Sequence, residues 1–157
     1  MNTKLTLEQQ ACNYETYEHI NWVQHFIQIL VKDLLDRAIK HDQSKLDTPE
    51  VELFAEHTHK LSGMTYGSPE FNECKKLLGP ALEHHYANNR HHPEHFPDGI
   101  EGMNLLDLIE MFCDWKASSL RHNDGNLLKS VEINAKRFKM TKQLKQIFEN
   151  TAELIDE

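Results

Sequence analysis

Helical periodicity is the feature that most constrains the fold of this chain. Apolar residues recur at spacings of three and four along nearly its whole length, and no segment sustains the alternation of a β-strand. The first such region covers about residues 14–40, and its apolar stripe is Ile20, Val23, Phe26, Ile27, Leu30, Leu34 and Leu35. The pattern predicts an all-α protein, folded as a compact single-domain helical bundle.

Capping residues, prolines and glycines divide the rest of the chain. Thr48-Pro49-Glu50 and Ser68-Pro69-Glu70 have the form of helix starts, leading to about Ser62 and Leu78, and Gly79-Pro80 begins another helix. The string HHPEHFPDGIEG predicts a loop, Asn104 caps an apolar helix, and HNDGN predicts a turn. Two last helices are expected over 127–138 and 142–156, the latter capped by Thr141. We therefore expect one domain over 1–157, with its metal-binding part at about 14–120 and C-terminal helices over 127–156.

Composition restricts the environment and the partners. The 157 residues carry a net charge of −8, which argues against binding to bulk nucleic acid. Cys12, Cys74 and Cys113 form no CxxC pair, which predicts reduced thiols with Cys113 in the core. The start MNTKLTLEQQ lacks an apolar signal region, and no apolar stretch reaches 18 residues, so we expect no membrane association and a cytoplasmic location.

Histidines and acids provide the candidate site. Five of the eleven histidines fall within residues 84–95, and imidazole with carboxylate is a ligand set for divalent transition metals. His85 and His92 are seven residues apart, as are His84 and His91, so either pair could share a helical face; His85 is preferred. Asp107, Glu110 and Asp114 recur at helical spacing on the apolar helix after Asn104 and also need a partner, because burying an unpaired carboxylate is costly; Asp114 is preferred to Asp107 as a ligand. The candidate metal ligands are His19, His41, Asp42, His85, His91, His92 and Asp114.

His19 can share a metal with His41 only if the chain bends between them. In one straight helix, His19 and His41 would lie about 33 Å apart, at about 1.5 Å per residue. Both can bind one metal only if the chain turns between them, near residues 31–36. No glycine or proline marks such a turn.

Several strings resemble the HD superfamily of metal-dependent phosphohydrolases. HDQSK is similar to the HD-x-G-K string of the HD-GYP branch, with Ser44 in place of glycine, and HHPEHFPDGI is similar to that branch's HH-E…DG loop. IEMFCDWKAS resembles the segment that bears the last metal aspartate. The resemblance spans about residues 19–118. The strings YGSPE, NNRHHPEHF and DLIEMFCDW are also similar to an uncharacterised HD-like family of phages and bacteria, which implies the cytoplasm of a bacterium or of a phage-infected host.

The resemblance implies an enzyme and assigns roles to residues. His19 would be the first histidine, His41-Asp42 the doublet, Asp114 the final aspartate, and His91 and His92 the additional ligands. One or two divalent ions (Mn, Fe, Co, Ni or Zn, with Mg a further candidate) would provide a metal-bridged hydroxide. The substrate would be a small phosphorylated metabolite, with a nucleotide expected. Asp42 and Lys45 would be catalytic, and Lys45, Arg90 and Lys116 would contact the phosphate.

Two other functions remain open from the sequence. The HD fold also includes di-iron oxygenases, which the ligand set permits. A non-catalytic phage accessory protein that binds a nucleotide would keep the pocket without turnover. Oxygen uptake would favour the first, binding without hydrolysis the second, and phosphate release the hydrolase. The sequence indicates no oligomeric state.

Overall fold

The computed structural model describes residues 5–61, 69, 73, 76–120 and 125–155. These residues contain six α-helices and no strand, which confirms the all-α prediction. The helices are α1 (Leu7–Lys40), α2 (Glu50–Leu61), α3 (Gly79–Asn88), α4 (Leu105–Ser119), α5 (Leu127–Arg137) and α6 (Lys142–Ala152). Three short 3₁₀ segments lie between them, at Gln43–Leu46, Pro93–His95 and Gly99–Gly102. Among the described residues, no helix combines the length and the apolarity needed to cross a membrane.

The chain divides into two units, Met1–Ile39 and Lys40–Glu157. The first consists of α1, which begins at a capping box: Thr6 Oγ1 accepts from Gln9 N, and Gln9 Oε1 accepts from Thr6 N. The helix then continues without interruption to Lys40, and none of its residues is buried. The predicted turn near residues 31–36 is therefore wrong. Residues 31–40 read VKDLLDRAIK, whose leucine, lysine, arginine and alanine residues favour helix, and this stretch contains no glycine or proline.

The second unit has its core where α4, α5 and α6 meet. Its buried residues are Met111, Phe112, Trp115, Leu127, Val131, Phe148 and Ala152. Phe148 is central, because its ring lies 5.2 Å from that of Phe112 and meets Trp115 edge-on at 5.8 Å. Cys113 is exposed, contrary to the prediction that it lies in the core. It follows Phe112 directly, so the helix turns it away from the face that packs.

Helix caps agree well with the sequence signals. Asn104 Oδ1 accepts hydrogen bonds from Leu106 N and Asp107 N, and Asp107 returns a bond to Asn104 N, which completes a capping box. Thr141 caps α6 as predicted. The C-terminal helices end at Arg137 and Ala152, the second earlier than expected. The helix expected over 68–78 and the turn at HNDGN lie largely outside the described residues.

The cap of α4 is expected to contribute measurably to stability. Asn104→Ala removes two hydrogen bonds from otherwise unpaired backbone amides and should lower the free energy of unfolding by about 1 kcal/mol. Chemical denaturation followed by circular dichroism measures this. Asn104→Ser, which retains a capping oxygen, should recover most of the loss, and equal stability of the alanine variant and the original protein would contradict the assignment.

Candidate metal centre

The site is built around the end of α1. Asp42 has φ 57° and ψ 11°, in the left-handed region where aspartate is among the better-tolerated residues. This conformation stops the helix and begins the 3₁₀ segment Gln43–Leu46. Residues three apart are eclipsed in a 3₁₀ turn, and Lys45 Nζ accordingly lies 2.5 Å from Asp42 Oδ2. The His41-Asp42 doublet thus turns both side chains out of the helical path.

Four side chains form the first group of possible ligands. Asp42, His85, His91 and His92 each offer one atom, and these atoms all lie within 4.8 Å of one another. Asp42 Oδ1 lies 3.3 Å from His85 Nε2 and 3.5 Å from His91 Nε2. His85 Nε2 and His92 Nε2 are 2.9 Å apart. Because α3 ends at Asn88, the turn after it, and not a continued helix, brings His92 back to His85.

Two further groups share members with the first. His41, Asp42 and Asp114 form one, with His41 Nε2 lying 3.6 Å from Asp42 Oδ2 and 3.7 Å from Asp114 Oδ1. His41, His91 and Glu110 form the other. The two oxygens of Asp42 therefore face different histidines, Oδ1 towards His85 and His91 and Oδ2 towards His41. A carboxylate in this position can bridge two ions.

The first group suits a metal ion chemically. Ligand bonds of about 2.0–2.2 Å in a tetrahedral arrangement place ligand atoms about 3.3–3.6 Å apart, close to the separations from Asp42 Oδ1. Asp42 Oδ1 and both ring nitrogens of His91 are buried, and no described residue offers them a hydrogen bond. Buried polar atoms normally have a partner. A cation bound by these atoms would satisfy Asp42 Oδ1 and one nitrogen of His91.

Glu50 orients two neighbouring histidines. Its carboxylate is fully buried, with Oε1 2.7 Å from His84 Nδ1 and Oε2 2.8 Å from His85 Nδ1. A carboxylate only accepts hydrogen bonds, so His85 carries its proton on Nδ1 and leaves Nε2 free to bind. Carboxylates commonly fix metal-binding histidines in this way. His85, which is buried, thus reaches the group, whereas His84 turns its other nitrogen towards Asn88.

Glu110 contacts a second pair of histidines. Its Oε1 is hydrogen-bonded to His41 Nδ1 at 3.0 Å and lies 3.2 Å from His91 Nδ1, without the geometry of a hydrogen bond to the latter. The Nε2 atoms of His41 and His91 point towards Asp42, as does that of His85. Neither Glu50 nor Glu110 is among the ligands predicted from the sequence. Glu110 had a signal, because it precedes Asp114 by four residues and so shares its face of α4.

Electrostatics keep the acids ionised. Burial acts to raise the pKa values of Asp42, Glu50, Glu110 and Asp114, but the hydrogen bonds and charges around them outweigh it, and all four pKa values are lowered. The partners are Lys45 for Asp42, His84 for Glu50, and His41 for the other two. The centre is therefore strongly anionic before any cation binds.

The histidines differ in charge. Burial, together with the neighbouring His91 and His85, lowers the pKa of His92 to about 3, and burial also lowers the pKa of His85. Both are therefore neutral and have a lone pair available. The carboxylates of Asp114 and Glu110 raise the pKa of His41 to about 10, so this imidazole is protonated in the metal-free protein. An ion bound at His41 Nε2 would have to displace that proton.

A family sequence model matches residues 8–156. The chain belongs to the family of unknown function DUF5662. No curated protein and no solved structure matches it. The match covers α1 and the whole metal centre, so the second unit and the long first helix both belong to the DUF5662 pattern.

His19 is the predicted ligand that the structure does not place at the centre. It lies within the uninterrupted α1, 21 residues before Lys40, which corresponds to about 32 Å along the helix axis. It appears in none of the three ligand groups. We therefore remove His19 from the set, whereas the other six predicted ligands all occur in these groups.

Arg90 and Lys116 were predicted to contact substrate; the structure engages Arg90 elsewhere, and the role of Lys116 stays a prediction. Arg90 binds Asp107 through two hydrogen bonds of 3.1 and 3.0 Å and lies over the ring of Phe96. Asp107 is fully buried at the start of α4, so this pair stabilises the helix start. Lys116 follows Asp114 by two residues, and side chains two apart on a helix point in different directions. Neither residue occurs in the ligand groups.

Removing the charge of Glu50 is expected to weaken metal binding. In Glu50→Gln the side chain has one acceptor oxygen instead of two and carries no negative charge. His85 would therefore lose both its orientation and the basicity that the carboxylate gives it. Metal affinity should fall by about 10- to 100-fold, the usual effect of altering such a partner. Competitive chelator titration measures it.

Glu52→Gln is the matched control, because Glu52 lies on the same helix, is exposed, and accepts a hydrogen bond from Thr48 and not from a histidine of the centre. Its metal affinity should be unchanged. Equal affinities of the two variants would remove Glu50 from the centre.

Proposed function

We propose that this protein is a metal-dependent phosphohydrolase that acts on a small phosphorylated metabolite, with a nucleotide as the expected substrate class. The observation that carries the proposal is the position of Asp42, whose two oxygens face separate histidine groups. This arrangement suits two ions joined by one carboxylate. The resemblance of HDQSK, the HHPE loop and FCDW to the HD superfamily supports the same assignment.

The residues divide between two positions. His85, His91, His92 and Asp42 would hold one ion with four ligands, and His41, Asp42 and Asp114 would hold another with three. A position with three protein ligands keeps room for water or substrate. Divalent ions held there would supply Lewis acidity towards phosphate and an acidified water.

Charge explains why an anionic substrate would require the cations. Four ionised carboxylates surround the site against the positive charges of Lys45 and the protonated His41, so the described part of the metal-free centre is net negative and would repel phosphate. Two divalent ions would offset these charges. Lys45 is about 38 % exposed at the edge of the centre, where its ammonium can contact a bound phosphate oxygen and stabilise charge that develops on it.

The direct experiment combines elemental analysis with a hydrolysis screen. The purified protein should contain divalent metal, and phosphate release from a panel of nucleotides should depend on added manganese, cobalt, nickel, magnesium or zinc. Bound iron with oxygen uptake and no phosphate release would favour the oxygenase alternative. Nucleotide binding without turnover with any metal would favour the accessory-protein alternative.

The doublet should be required for metal binding. Asp42→Ala removes the carboxylate that both positions share, so metal content and phosphate release should fall together. Inductively coupled plasma mass spectrometry beside the hydrolysis assay checks this. Asp47→Ala, an exposed acid just beyond the 3₁₀ segment, is the control and should retain both. A variant at Asp42 with full metal content would mean that the centre lies elsewhere.

Lys45 should act on substrate and not on metal. A protonated lysine cannot ligate, and its ammonium is a point charge suited to phosphate. Lys45→Ala should keep its metal but lose about 10²-fold or more in kcat/KM, as expected when charge stabilisation in the transition state is removed.

Lys136→Ala is the control for Lys45, because it also breaks a lysine–carboxylate pair, that with Glu132, on an exposed helix surface. It should retain full activity. Full activity of the Lys45 variant would exclude Lys45 from the mechanism. Loss of metal in that variant would instead show that its role is to hold Asp42.

A further inference from the structure

His91 and His92 lie in a loop and not on a helix. The loop runs over residues 89–104, from the end of α3 to the start of α4, and includes the 3₁₀ segments Pro93–His95 and Gly99–Gly102. Metal ligands must be held to within about 0.5 Å of their productive geometry, which is harder to achieve on a loop than on a helix. The loop therefore needs contacts that fix its path at these two histidines.

Arg90, directly before His91, joins this loop to α4. Its Nε donates a hydrogen bond of 3.1 Å to Asp107 Oδ1, and its Nη2 donates one of 3.0 Å to Asp107 Oδ2. Two parallel bonds between a planar guanidinium and a carboxylate fix direction as well as distance. Asp107 is fully buried, and it precedes Glu110 by three residues and Asp114 by seven, so the three acids lie along one face of α4. The pair thus holds the backbone at His91 beside the helix face that carries a predicted ligand.

A second contact of Arg90 holds the far end of the same segment. The guanidinium lies over the ring of Phe96, 4.9 Å from its centroid. Residues 91–95 thus lie between two residues that contact each other, and both histidines belong to this short closed segment. Phe96 is itself closely packed, because a Cβ at Gly102 would lie 2.8 Å from Phe96 Cβ. The guanidinium therefore constrains the loop at both ends of the part that contains the histidines.

We propose that the Arg90–Asp107 pair positions His91 and His92 for metal binding. This role rests on the metal centre of the proposed function and not on hydrolysis. Arg90 is a positioning residue, because its guanidinium is engaged by Asp107 and Phe96 and acts on the ion only through the loop. The fork of the guanidinium matters and not its charge alone, since a lysine ammonium is a point charge that cannot make the same pair of bonds.

Titration of the full chain with Co²⁺ tests this role. Arg90→Gln removes the fork and should lower the Co²⁺ affinity by about 10- to 100-fold, the usual effect of losing a residue that orients metal ligands. The visible absorption of bound Co²⁺ should change as well, because it depends on the number and type of ligands. Denaturation of the metal-free proteins identifies a purely structural role, since a lower stability alone does not alter the affinity of the protein that remains folded.

A second variant and a matched control complete the experiment. Arg90→Lys keeps a positive charge beside the buried Asp107, so it tests the role even where Arg90→Gln does not fold, and its Co²⁺ affinity should also fall. Arg137→Gln is the control, because Arg137 donates a hydrogen bond of 2.7 Å to Glu94 of the same loop and lies over the ring of Phe138. This variant should bind Co²⁺ as the original protein does.

The outcomes separate this role from the proposed function. Unchanged Co²⁺ affinity in both Arg90 variants would overturn the positioning role and leave the proposed function intact. An equal loss in Arg137→Gln would also overturn it, because loosening the loop at any point would then suffice. Weaker binding in the Arg90 variants alone, with no phosphate release by the original protein, would support the positioning role and contradict the hydrolase. An original protein that binds no Co²⁺ would overturn both.

Discussion

The carboxylate of Asp42 is the interaction on which the rest of the centre depends. Its Oδ1 lies between His85 and His91, its Oδ2 lies beside His41 and Lys45, and its own backbone turns the chain out of α1. These roles are coupled, because the left-handed conformation that ends the helix also aims the carboxylate. A glycine at this position would adopt the backbone more easily but would leave the histidines without their shared partner.

Two glutamates, the fully buried Glu50 and the partly buried Glu110, give the histidines their direction. Glu50 and Glu110 each approach a pair of imidazoles at Nδ1, and the Nε2 atoms of His41, His85 and His91 are then presented to Asp42. Carboxylates are costly to bury unless they are paired, so these contacts also favour the placement of α2 and α4 at the centre. Fold and site are therefore stabilised by the same contacts.

The sequence was informative wherever a signal is local. Asn104 and Thr141 cap helices as predicted, because a cap depends on the few residues that follow it. The sequence also indicated Asp114 as a possible metal ligand, because an acid on an apolar helix needs a partner. Glu50 was different: it stands at an ordinary helix start, and only tertiary packing buries it against His84 and His85 from a distant part of the chain.

His19 shows the limit of motif reasoning. Matching the motif required a turn between residues 31 and 36, yet no glycine or proline interrupts that stretch, and the helix is continuous. The same continuity carries the apolar stripe predicted from the sequence, from Ile20 to Leu35, along one unbroken helix. An apolar stripe read from sequence shows that a helix must pack, but not against what.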